Sequence, residues 1–357
     1  MALNPLTLRK LRRFRSIRRG YWSFVVLMVL IAVSLLGELL VNNRAILVRH
    51  EGKLYFPTYG ANLPGTTFGF DYTYETNYRD LQARSRAEGR GNWVLLPPVP
   101  FSPNENTPYQ GVFKPAPPSW LGGPAGHLLG TDTTGRDIFA RLFYGFRIAI
   151  FFALAFMALT YLVGITIGCL MGYYGGVFDL IVQRLIEIWS NIPFLYMVII
   201  LFSVIPSTFS IPARIGMLLV VMVLFSWTSM TYYMRTATYR EKARDYTAAA
   251  VVLGAGPGRI IFNHILPNTI STIVTFMPFT VVSAITAVTA LDFLGFGLPP
   301  PTPSMGELLK QGTQTLTTAP WIVSSAFSAL VFILVLVTFI GEAVREAFDP
   351  KKFTTYQ

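Results

Sequence analysis

Ile148-Ala-Ile-Phe-Phe-Ala-Leu-Ala-Phe-Met-Ala-Leu-Thr-Tyr-Leu-Val-Gly-Ile-Thr-Ile-Gly-Cys-Leu-Met171 runs without one charged side chain. A hydrocarbon core requires about 20 consecutive apolar residues at helical rise, so this stretch reads as a membrane-spanning helix. Five further runs read the same way: 22–41, 192–205 (extended back toward 188), 215–234, 269–291 and 321–341. Asn191 and Pro193 sit at the start of the third span; membrane helices tolerate such a proline where neighbours satisfy the freed carbonyl. The composition agrees, at 52% hydrophobic and 13% charged, where soluble domains carry roughly 25% charge. The expected fold class is an all-α polytopic membrane protein with six transmembrane helices.

Arg9, Lys10, Arg12, Arg13, Arg15, Arg18 and Arg19 precede the first run, with no acidic residue among them. That bias places the N-terminus in the cytoplasm, and six crossings return the C-terminus there. The first run is too long for a secretion-signal core and lacks a small-residue cleavage site, so it reads as an uncleaved anchor. Between the fourth and fifth spans, Arg235, Arg240, Lys242, Arg244 and Arg259 outweigh Glu241 and Asp245, as a cytoplasmic loop requires. The next loop has only Lys310 against Asp292 and Glu307, as an external one should. Orientation therefore accounts for the net charge of +11, with some attraction to membrane lipid; no nucleic-acid partner is expected. The single cysteine, Cys169, lies inside the second span and can form no internal disulfide.

The expected organisation is a basic tail (1–21), a first span (22–41), an external cap (42–147), a transmembrane core (148–341) containing the cytoplasmic loop 235–268, and a second tail (342–357). In the cap, Tyr55, Phe68, Tyr78 and Trp93 argue against a solvated linker. Pro97, Pro98, Pro100 and Pro103 argue against long helices or a central sheet. Short strands and one helix near 78–88 are expected, packed on partners. At the end of the cap, Thr131 or Asp132 can cap the next helix and Gly135 allows a tight turn. Ile138, Leu142 and Phe146 share a helical face leading into the second span. Within that span Gly164, Gly168 and Gly172 form a small-residue stripe for close helix packing.

Some chemistry is missing. The chain contains no phosphate-binding Gly-x-x-x-x-Gly-Lys-Ser/Thr loop, so it is not expected to be an enzyme or to hydrolyse nucleotide itself. His127, Asp132 and Asp137 lack the spacing and companions of a metal site; capping and loop order explain them, and neither metal nor catalytic residues are assigned. Glu38, Asp179, Glu187, Asp292 and Glu342 lie at or near span ends, within reach of water or headgroups. Glu342 with Arg345, and Arg345 with Asp349, have helical pair spacing.

The cytoplasmic loop carries Asp245-Tyr-Thr-Ala-Ala-Ala-Val-Val-Leu-Gly254, Ala-Gly-Pro-Gly258 and Arg259-Ile-Ile-Phe-Asn-His-Ile-Leu-Pro267-Asn268. Asp245 suits a helix N-cap, Gly254 a helix end and Pro267 a stop to a second helix over 259–266. Residues 248–253 have no polar side chain, and an apolar surface outside the bilayer calls for a cover, either a protein groove or lipid headgroups.

Asp-Tyr-x-x-Ala-Ala-x-x-Leu-Gly followed by Arg-Ile-Ile-x-x-His-Ile-Leu-Pro-Asn resembles the signature loop of ABC-importer permeases of the dipeptide/oligopeptide permease family. Three further matches occur in that family's order: 129–137, Gly-Tyr-Tyr-Gly-Gly (172–176), and 291–299 with 303–308. The long external segment, with Asn92-Trp-Val-Leu and Pro-Pro-Val-Pro-Phe101, is similar to the microcin C and peptide importer branch. One departure is Ala248, where the family's signature usually has glutamate. The resemblance implies a permease subunit that imports peptides or peptide conjugates across the bacterial inner membrane, with the 42–147 segment in the periplasm. It implies a second homologous permease subunit, two ABC ATPase subunits or one fused ATPase, and a periplasmic solute-binding protein. ATP and Mg are then bound by the partners, and no cofactor by this chain. Asp245, Tyr246, Ala249, Ala250, Leu253, Gly254, Arg259, His264, Leu266 and Pro267 are the implied ATPase-docking residues. A membrane-anchored periplasmic enzyme and an ATP-independent carrier are the alternatives.

Overall fold

The computed structural model describes residues 5–89, 91–206 and 208–348. Among these, four helices are long and apolar enough to cross a membrane: Arg18–Leu35, Ile138–Tyr174, Pro257–Leu294 and Pro320–Phe348. Two bent pairs raise the number to six if each counts as one span: Gly176–Ser190 with Phe194–Ser203, at 75°, and Ile211–Ser226 with Thr228–Lys242, at 46°. The chain is thus a multi-pass, mostly helical membrane protein. The run expected as one span over 192–205 is the second limb of a broken helix. Pro193, extended at φ −63° and ψ 107°, separates the limbs, since a proline removes a helical donor and clashes with the preceding turn. At the second bend Thr231 gives both its N–H and its hydroxyl to the Trp227 carbonyl, at 3.2 and 3.1 Å, a side-chain intrusion that bends helices.

The chain divides into two compact units, one of residues up to 27, 149–299 and from 332 onward, the other of 28–148 and 300–331. In the first, the glycine stripe lies against Thr228–Lys242. A Cβ on Gly164 would fall 2.8 Å from Met230 Cβ, one on Gly168 2.5 Å from the Thr231 carbonyl oxygen, and one on Gly172 2.6 Å from Thr238 Cβ. The two helix backbones touch there, with Cys169 buried beside them in a cluster with Met230, Met234 and Ile273. Glu342 pairs with Arg19 at 3.2 Å rather than with Arg345. The expected Arg345–Asp349 pair and the tail from 349 lie outside the described residues.

The second unit holds a three-stranded antiparallel sheet, with Leu47–His50 between Lys53–Tyr55 and Trp93–Leu95. The helix expected near 78–88 is Tyr78–Glu88, and Asn77 caps it by accepting from the Arg79 and Asp80 amides. Val48, Phe68, Tyr78, Leu81 and Val94 form the core of this layer. Burial, aided by the Glu75 carboxylate, pushes the Tyr78 hydroxyl up to about 12. Neither Thr131 nor Asp132 caps the helix at Ile138. Asp137 does, accepting from the Ala140 amide at 2.7 Å, and its other oxygen meets His127 Nδ1 at 2.7 Å. Asp132 instead orders the turn, accepting from Thr134, from the Arg136 amide and from Arg136 Nε. Arg136 reaches Glu307 at 2.9 Å, and the fully buried Arg141 also bonds Glu307. Burial works against the Arg136 charge, but Asp132 and Glu307 outweigh it and hold its pKa above the usual arginine value. Motifs 129–137 and 303–308 therefore form one ionic knot.

Candidate coupling loop

The loop is built upward from Thr228–Lys242, the helix pressed on the glycine stripe. Midway along this helix, Arg235 clamps Asp179 through Nε and Nη2 at 2.5 and 2.6 Å, and the Tyr239 hydroxyl adds a third donor at 2.6 Å. Asp179 is therefore buried and paired, not solvated at a span end as expected. The Gly172–Gly176 turn makes this possible: Gly175 and Gly176 have φ of +64° and +57°, which glycine adopts without a Cβ penalty. Near the end of the helix, Lys242 Nζ donates to the Tyr173 carbonyl at 2.5 Å.

The loop helix is Asp245–Val252. Its N-cap is Arg244, in extended conformation and without a side-chain cap bond, so Asp245 is the first helical residue rather than the cap. There its carboxylate still favours the positive end of the helix dipole. Two bonds fasten the helix to the preceding one: Thr247 Oγ1 to the Glu241 carbonyl at 2.8 Å and Tyr246 OH to Glu241 Oε2 at 3.0 Å. Burial, then the bond to Glu241, raises the Tyr246 pKa above that of an ordinary phenol. Gly254, at φ +78°, ends the helix, and the Ala255 amide returns to the Ala250 carbonyl at 3.0 Å, a glycine-terminated C-cap.

Two sides result. Ala250 is buried with Ile260 and Ile265, packed by Tyr173 and Ala255. Ala249, Gly254 and Val251 are exposed, and Val252 and Leu253 are each 86% exposed. The expected second helix differs in kind. Pro257–Arg259 is one α-turn, Ile260–Ile265 is a π-helix, and the chain continues without a stop into Leu266–Leu294. Pro267 has no N–H and would crowd the carbonyl four residues before it. The wider winding accommodates it, with the Leu266 amide bonding the Ile261 carbonyl five residues back. Pro267 and Arg259 are exposed, His264 is half-buried, and Leu266 packs on the Tyr161–Met230 cluster.

Of the ten residues implied by the motif, Ala249, Leu253 and Gly254 share the exposed end of the loop helix. Ala250 supports it from beneath, while Leu266 packs instead on the Tyr161–Met230 cluster. Val251 and Val252 belong with the exposed group although the motif does not imply them; their apolar character is legible in the sequence, but their outward direction is not. The motif likewise gives no sign of the Asp179 clamp or the Glu241 anchor.

Residues 164–354 match the family described as the binding-protein-dependent transport system inner membrane component. The inner membrane ABC transporter permease protein YejE of Escherichia coli is 41% identical over 355 residues, covering 98% of each chain. The peptidoglycan transport system permease protein YejE of Agrobacterium fabrum is 38% identical, covering 98% of this chain and 94% of its own. The dipeptide transport system permease protein DppC of Haemophilus influenzae is 35% identical over 72% of this chain and 85% of its own. Matched across more than half its length by the family and along nearly its whole length by such relatives, the chain belongs to the inner membrane components of binding-protein-dependent transport systems.

Proposed function

We propose that this chain is a permease subunit of an ATP-driven importer of peptides or peptide conjugates in the bacterial inner membrane, and that the 245–267 loop is where separate ATPase subunits dock. One observation carries the docking assignment: two large aliphatic side chains, Val252 and Leu253, stand almost fully exposed on a helix that is itself firmly anchored. Burying such a pair in a partner's groove supplies about 3–6 kcal/mol, enough for a contact that survives a conformational cycle. The names of the relatives, which specify dipeptide and peptidoglycan transport, support the cargo class. The family description supports a binding protein as donor.

In this reading each bent pair is one span, giving six, with both termini cytoplasmic and 42–147 in the periplasm. A second homologous permease completes the pathway, and the ATPase subunits, two chains or one fused chain, hold ATP and Mg. The 42–147 segment and the 292–320 loop face the binding protein. The permease moves cargo and is no enzyme; the assembled complex hydrolyses ATP.

The test is Val252→Asp combined with Leu253→Asp. The expected result is loss of ATPase copurification in detergent and loss of peptide uptake, with an unchanged melting temperature for the isolated permease. A doubly charged variant that retains its ATPase and imports like the parent refutes the docking site.

A further inference from the structure

In the first unit, the two bent helix pairs border a cavity of about 440 Å³, within the roughly 300–1,000 Å³ of sites that hold small ligands. The breaks determine where it lies. Phe194 opens the helix after the 191–193 bend, Ser226, Thr228 and Ser229 flank the bend at Trp227, and all four line the cavity. Non-helical backbone at membrane depth is stable only where protein buries it or where it lines a water-accessible cavity. The helix Phe194–Ser203 also begins without a side-chain cap, which leaves its first amide N–H groups without intrahelical acceptors.

The lining is largely apolar, dotted with hydroxyls and free of charge. No described residue of the wall is ionisable as Asp, Glu, Lys, Arg or His. Tyr161 OH and Thr280 Oγ1 lie 2.8 Å apart on facing helices. Thr160, in the middle of the 148–171 run, is buried in the wall and its hydroxyl has no hydrogen-bond partner. Tyr233 and Phe276 stack at 3.9 Å and 11°.

We propose that this cavity is a relay site for cargo inside the subunit, holding an uncharged stretch of extended peptide by its backbone amides. Each peptide unit offers one donor and one acceptor, and a hydroxyl serves either. The aromatic rings cover small side chains without reading their identity. Without a charged group in the wall, the termini and charged side chains of the cargo find no partner here, so the site passes peptides by their main chain and does not select among them. The inference rests on the reading of the chain as a peptide permease.

The experiment uses the complete transporter in proteoliposomes, with its binding protein and a tripeptide-to-hexapeptide fraction of a casein digest. In a Cys169→Ala background, Ser283→Cys places a single thiol in the wall for N-ethylmaleimide. Turnover with peptide is expected to slow labelling roughly fivefold, as an occupancy near four-fifths implies. Tyr161→Phe with Thr280→Val is expected to lower the peptide moved per ATP hydrolysed by about tenfold, the effect of roughly one lost hydrogen bond in the loaded site. Labelling that ignores peptide while the same vesicles import it, or a full yield from the double variant, overturns the site. Vesicles of the parent protein that hydrolyse ATP with the binding protein present yet import no peptide instead refute the peptide-permease reading, and this inference falls with it.

Discussion

Asp132, Arg136, Arg141 and Glu307 close on one another in the second unit, with Arg141 fully buried and its Nη1 donating to the Pro103 carbonyl. In the first unit, Val251, Val252 and Leu253 face outward from a helix whose polar groups are bonded inward to Glu241. Both regions carry motifs of the family, yet their demands differ. The ionic knot pairs its charges within itself, leaving only Arg141 Nε buried without a hydrogen bond, 3.7 Å from Asp132, and folding accounts for most of its motif. The loop leaves apolar surface that its own unit does not cover, and the proposed docking falls there. A motif's function is therefore read from what remains unsatisfied after the chain has folded.

The contrast can be broken most severely at the knot. Arg141→Met removes the buried partner of Glu307 while Arg136 still holds Glu307 and Asp132, and is expected to cost about 3 kcal/mol, the low end for breaking a buried pair. The measurement is denaturant or thermal unfolding in detergent, and a loss below about 1 kcal/mol, the worth of an ordinary exposed pair, would remove the distinction between the two regions. Next in size, Val252→Ser with Leu253→Ser should weaken ATPase binding by about 3 kcal/mol, near a hundredfold, with the unfolding of the permease unmoved. If that variant melts early, the exposed pair is serving the fold after all.

Much of this architecture is readable from the sequence because bilayer thickness dictates span length: the apolar runs at 22–41, 148–171, 269–291 and 321–341 each fall largely within a helix. Pro193 marks a weak point, but the Trp227 bend has no proline or glycine to announce it, only a threonine hydroxyl bonded to the Trp227 carbonyl. Asp245 and Pro267 depart from their expected roles for a common reason, since local preferences name suitable residues without saying which neighbour takes the role. The Asp179–Arg235 clamp and the Arg141–Glu307 bond join residues far apart in the chain, and only tertiary packing brings such charges together. In the loop, the apolar run 248–253 is plain, but eight helical residues have too little periodicity to separate the buried Ala250 from the exposed Val252.

Smaller changes sharpen the comparison. Thr247→Val removes the bond from the loop helix to the Glu241 carbonyl, at a cost of about 1 kcal/mol. Because the anchor joins the loop to the helix behind it, peptide moved per ATP should fall before ATPase binding does; equal losses in both would reduce Thr247 to a stabilising role. Asn77→Ala removes the cap of Tyr78–Glu88 and should cost the second unit about 0.5–1 kcal/mol, visible as faster amide exchange confined to that helix. Import should be unaltered.

The glycine stripe has an evolutionary corollary. A methyl group added at Gly168 meets the carbonyl oxygen of Thr231, and every amino acid placed at 231 brings that same oxygen. No second-site substitution on the facing helix can clear the clash, so descendants of this gene cannot repair a larger residue there by reciprocal change. Exposed positions such as Ala249 or Val252 face no such lock and can drift together with whatever surface they touch.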